Sequence, residues 1–182
     1  MPGPARRLAD LNTRDRRRAI ARTSAEITGA WIILIGAYYI VPVSAGTSAS
    51  ILLRIVICVA LLALVLGWQS RRIATSDVPE LRATTSLGVI IPLFLVMFAT
   101  IYLSMSQASA TVFTKDLDHT RALYFTITVF STVGFGDITP TTDPARIVVS
   151  VQMILDLIII GGVVRVLLNA ARAGLRRADD AP

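Results

Sequence analysis

"STVGFGDITP" occupies residues 131–140. Gly134 and Gly136 alternate with Val133 and Phe135, Thr132 stands before them and Asp137 follows. This polar, glycine-rich loop interrupts an oily chain. Of its 182 residues, 54% are hydrophobic and only 16% are charged, with a mean hydropathy of +0.66. A water-soluble domain carries about 25% charged residues. The balance predicts an all-α membrane protein.

Working outward from the loop, an apolar run of about 147–168 follows it, and a shorter mixed segment at about 119–131 precedes it. Further back lie apolar runs at about 87–105, 51–68 and 27–43. A bilayer core needs about 20 apolar helical residues. Four runs come close to that length. The 119–131 segment, about 18 Å as a helix, enters a membrane without crossing it. The chain divides into a basic N-terminus (1–26), a transmembrane hairpin (27–70), a connector (71–84), a unit at 85–170 and a short tail (171–182).

Charge sets the orientation. Arginines at 6, 7, 14, 16, 17, 18 and 22 precede the first run, Arg71, Arg72 and Arg82 lie in or beside the connector, and Arg172, Arg176 and Arg177 lie in the tail. The 44–50 loop has no basic residue, and around 109–121 only Lys115 and Arg121 occur. The positive-inside rule puts both termini and the connector in the cytoplasm. The short helix then dips in from outside and the glycine loop climbs back. A cleavable signal peptide at the N-terminus competes with this reading but leaves the later orientation unchanged. The arginine-rich, lysine-poor composition suits a GC-rich bacterial source, and the expected location is the plasma membrane.

Non-helical backbone survives at membrane depth only when buried in protein or lining water. The 132–136 segment is therefore expected to line a pore. Glycines at 134 and 136 reach positive φ without strain. Alternation with Val133 and Phe135 turns successive carbonyls to one side, where they replace the water around a bare cation. The Thr132 hydroxyl adds a further ring of oxygens.

"TVGFGD" resembles the selectivity filter of tetrameric potassium channels, whose usual wording is TVGYGD. An outer helix, an aromatic-rich pore helix and an inner helix surround it in the expected order, and the resemblance covers about 85–170. It implies K⁺ held by Thr132, Val133, Gly134 and Phe135, with Gly136 closing the filter and Asp137 forming a carboxylate ring at the outer mouth. Each chain supplies one oxygen per ring, so the resemblance implies a C4 homotetramer of subunits with four transmembrane helices, a re-entrant pore helix and a filter loop. K⁺ is the permeating ligand; no cofactor is implied. Partners are the other copies of the chain and membrane lipid.

Phe135 departs from the family tyrosine and has no hydroxyl with which to bond pore-helix aromatics. Tyr124 and Phe125 occupy those aromatic positions, and the filter is expected to be held more by packing than by hydrogen bonds. Thr128 either bonds behind the filter or caps a carbonyl of its own helix. Asp118 either caps the pore helix or is a solvated loop carboxylate. Ser131 is a candidate partner behind the filter.

Asp156, midway along the last run, is the most unusual residue, because a central carboxylate costs about 2.5–3.5 kcal/mol on insertion scales. It falls where many family members carry a hinge glycine, and the family's cavity-lining positions map to Leu157, Ile160 and Val164. Two readings stand. Asp156 faces the pore helix and bonds Ser131 or a neighbouring chain, or it forms a ring in the cavity that attracts cations. Gly161 and Gly162 form either a displaced hinge or a close-packing pair.

Arg54 and Arg165 read as snorkelling residues, and the first two helices lack the arginine periodicity of a voltage sensor. Cys58 reads as a small packing residue. His119 is either a pH sensor at the outer mouth or an ordinary exposed loop residue. No nucleophile–base set or metal-ligand spacing appears, so no enzyme is expected, and the net charge of +6 is scattered over segment ends rather than forming a nucleic-acid face. The reading is a potassium channel. Its rivals are a weakly selective cation channel, and a non-conducting or transporter-associated subunit.

Overall fold

A computed structural model describes residues 13–40 and 79–179, with scattered positions between 53 and 68. Helix α1 spans Thr13–Ile40, α2 Pro79–Ala108, α3 His119–Phe130 and α4 Asp143–Asp179. The positions described between 53 and 68 are helical. Arg54, Cys58, the 44–50 loop and most of the second apolar run and the connector lie outside the described residues. Three described helices are long and apolar enough to cross a membrane: Ile20–Ile40, Thr85–Ala108 and Asp143–Arg165.

The helices outrun their apolar runs. Helix α1 begins at Thr13 and not near 27, so most of the basic segment is helical. Similarly, α2 starts inside the expected connector at Pro79, and α4 continues to Asp179 through the expected tail. Arginine, alanine and leucine are good helix formers, so the winding has no reason to stop where hydropathy falls. Pro79 suits a first turn, where its missing N–H has no partner to lose.

Helix α2 is the hub, in contact with α1, α3 and α4. Its face of Phe94, Phe98, Ile101, Tyr102 and Met105 packs with Ala122, Phe125 and Val129 of α3 and with Ala145 and Val149 of α4. Tyr102, Phe113 and Phe125 form a mutual edge-to-face triangle, with centroids 5.1–5.8 Å apart, the arrangement favoured by the ring quadrupoles. Pro92 sits buried within α2. Its missing N–H deprives the Gly88 carbonyl, four residues back, of its usual donor. At Gly88 itself α1 comes close: an added Cβ would lie 2.7 Å from Ile27 Cδ1.

The loop before α3 is fastened to the loop after the glycines. Thr114 N donates to Thr139 O at 3.0 Å, Thr141 N to Val112 O at 2.9 Å, and Thr139 N to Thr114 Oγ1 at 3.0 Å. The Thr141 hydroxyl donates to Thr111 O, and Phe113 and Pro140 form an isolated β-bridge. Below, the buried Ser106 hydroxyl accepts from Leu117 N at 2.9 Å.

Candidate ion pathway

Helix α3 is short because its ends are capped by sequence. The Asp118 carboxylate accepts from Arg121 N at 2.7 Å, which makes it the N-cap. Ser131 is the C-cap, its N–H donating to Ile127 O at 2.8 Å. The hydroxyl of Ser131 points to Thr128 O at 3.4 Å, and does not bond Asp156. Of the two readings of Thr128, the side chain takes the local one, donating to Phe125 O at 2.8 Å. Its backbone serves the loop instead: Thr128 O accepts both Val133 N and Gly134 N at 3.1 Å.

Beyond the cap the backbone alternates. Thr132, Gly134 and Gly136 have φ of 57°, 52° and 75°, while Val133 and Phe135 between them stay in the ordinary negative range. The glycines were legible in advance; Thr132 was not. A β-branched residue at positive φ is a genuine outlier that costs on the order of 1–3 kcal/mol. Strain of this kind persists only where the surroundings impose it, and here Thr132 N is held by Val129 O at 2.9 Å.

The ring of Phe135 lies against Tyr124, with centroids 6.3 Å apart and planes 5° from parallel. Tyr124 also donates to Asp137 Oδ1 at 3.3 Å, and Lys115 Nζ sits 3.8 Å from Asp137 Oδ2. Stacking and hydrogen bonding therefore both hold this segment. Phe125 is not beside it: that ring is buried against Tyr102 and Phe113 on the far side of α3.

Asp156 is buried, 2% exposed, and its partner is Gln152, whose Nε2 donates to Asp156 Oδ2 at 3.3 Å. Gln152 is the residue that sequence reasoning missed. Its Nε2 also donates to Thr126 O at 3.2 Å, and its Oε1 accepts from Tyr102 at 2.6 Å. One amide thus joins α2, α3 and α4. The available signal was a second polar residue four positions before Asp156 in an apolar run, hence on the same helix face. Asp156 Oδ1 has no hydrogen-bond partner among the described residues.

A cavity of about 300 Å³ lies where α3, the loop and α4 meet, lined by Thr128, Val129, Thr132, Gly134, Met153, Asp156 and Leu157. Leu157 and Val164 are exposed and Ile160 is half-buried. Gly161 and Gly162 lie inside the continuous α4, with open space where a Cβ would stand. His119 is neither in a loop nor fully exposed. It is the first residue of α3, half-buried against Tyr38 and Tyr39.

Residues 90–173 match the model of a family described as "Ion channel". The match takes in most of α2, all of α3, the glycine loop and most of α4, just under half of the chain, and it supports an ion-channel family for this part of the protein. No curated protein and no solved structure matches the chain.

Proposed function

We propose that the chain is the subunit of a potassium-selective channel that conducts K⁺ passively through a fourfold filter at 132–136. The observation that carries this is the alternation of left-handed and ordinary backbone from Thr132 to Gly136. Alternation of this kind directs successive carbonyls toward one side, and about four such strands around an axis supply the oxygen cage that replaces a cation's hydration shell. The filter follows a helix of 12 residues, about 18 Å long, whose negative end points at the path.

In this reading α2, α3, the loop and α4 form the pore unit at 85–170, and both termini face the cytoplasm from the plasma membrane. K⁺ sheds water near Asp137, passes the rings from Gly136 to Thr132 in single file and enters a hydrated cavity lined by Leu157, Ile160 and Val164. Lys115 and Tyr124 engage Asp137, which makes it a brace for the outer mouth as much as an attractor of cations. The burial of Asp156 supports a structural role over a cavity ring. The unbroken α4 speaks against a hinge at Gly161 and Gly162, and the open space beside them leaves room for a neighbouring copy.

Purified protein in planar bilayers tests the proposal. Bi-ionic reversal potentials are expected to favour K⁺ over Na⁺ strongly, with barium blocking the current. Equal permeability would leave a weakly selective cation channel; silence in a flux assay would leave an accessory subunit.

A further inference from the structure

The first helix ends on the start of the pore helix. Tyr38, 4% exposed, donates its hydroxyl proton to His119 O at 2.7 Å. Tyr39 and Thr120 bring their hydroxyls to 3.3 Å. The His119 ring lies 5.2 Å from Tyr38, edge to face, and 6.0 Å from Tyr39, stacked. The two tyrosines are themselves edge to face at 5.3 Å. Two neighbouring residues of α1 thus grip both residues of the first step of α3. Nearer the other end, α1 is seated against α2 where Ile27 meets Gly88.

What α3 holds at its far end gives this grip its meaning. Thr128 O carries the N–H groups of both Val133 and Gly134. The 12 residues between are a hydrogen-bonded rod packed on α2 through Ala122, Phe125 and Val129. Packed elements of this kind shift as bodies rather than deform. A change of tilt at His119 therefore reaches the carbonyl that holds Val133 and Gly134, next to the strained Thr132.

We propose that Tyr38 and Tyr39 are positioning residues for the filter: by holding the first turn of α3, they make α1 part of the filter's support. Tyr38 carries the larger share, because its hydroxyl bond is partly buried and that of Tyr39 is exposed. The consequence for conduction rests on the reading of 132–136 as a filter; the mechanical link from α1 to that segment does not.

The test uses the full chain in lipid nanodiscs and bilayers. Amide hydrogen exchange is compared for wild type, Tyr38→Phe, Tyr39→Phe and Ile33→Ala, the last being an exposed position on the same helix. Tyr38→Phe keeps the ring and removes only the donor. Exchange is expected to rise on the order of tenfold at residues 119–123 and also at Val133 and Gly134. Tyr39→Phe gives a smaller rise and Ile33→Ala none. In the same membranes, K⁺ current through Tyr38→Phe decays several-fold faster, with the K⁺/Na⁺ reversal potential unchanged. Unchanged exchange, or a rise confined to 119–123 with normal current decay, overturns the proposal. Equal K⁺ and Na⁺ permeability in the wild type, with the exchange effect intact, overturns the potassium reading and leaves the tyrosine link standing.

Discussion

Helices α2 and α4 are almost equally oily and are used in opposite ways. Their membrane-crossing stretches have mean hydropathies of 2.3 and 2.5, yet 61% of the first is buried within the chain and only 17% of the second. Helix α2 finds its partners at home, in α1, α3 and α4. Helix α4 offers its own chain one stripe, Ala145, Val149, Gln152 and Asp156, at helical spacing. Two other stripes stay uncovered: Ile147, Val151, Ile154 and Ile158, and Met153, Leu157 and Val164. Hydropathy states that a helix avoids water in bulk. It does not state whether lipid, a sister chain or a hydrated path takes its place.

The contrast is broken most severely at Leu157. If the proposed fourfold filter holds and this stripe faces the ion path, Leu157→Arg sets about four positive charges below it. K⁺ flux into liposomes is then expected to fall at least tenfold, since each buried charge repels the permeant cation at short range. Unchanged flux would remove that stripe from the pathway. A second comparison sets Phe94→Ala in α2 beside Leu157→Ala in α4. The first opens a cavity in a fully buried site, a change that costs about 3–5 kcal/mol in water-soluble cores. The second removes atoms that its own chain does not cover. Denaturation in detergent should show a large loss for Phe94→Ala and little for Leu157→Ala; equal losses would erase the distinction between the helices. The smallest effect sharpens a place where α2 and α4 are joined by polar groups. Gln152→Leu strands the Tyr102 hydroxyl and the Asp156 carboxyl, and a loss of about 1–3 kcal/mol is expected in the same assay.

Much of the fold was legible because the membrane imposes hard rules. A dozen helical residues cannot cross it, and unpaired backbone cannot face it; those two facts isolate 119–131 and 132–136 before any coordinate is known. The Asp118 cap was legible as one of two readings, since an aspartate before a helical run has a known local use. Helix ends were not. Arg14, Arg17 and Arg18 wind on below the first apolar run, because helix propensity and hydropathy are different properties. In the site, glycine chemistry exposed positions 134 and 136, whereas the positive φ of Thr132 goes with a local bond from its N–H to Val129 O and leaves no trace in residue type. The partner of Asp156 is not Ser131, whose hydroxyl points to Thr128 O. Helix phase puts Gln152 on the same face. That Tyr38 reaches His119, 81 positions away, depends on a packing that sequence spacing cannot express.

The pairing of Gly88 and Pro92 has a mechanical consequence. A rod lacking one of its internal ties bends most easily there, and α1 leans on α2 at that level. Bulk added at position 88 would therefore push α1 away at a level where α2 is already short of one tie.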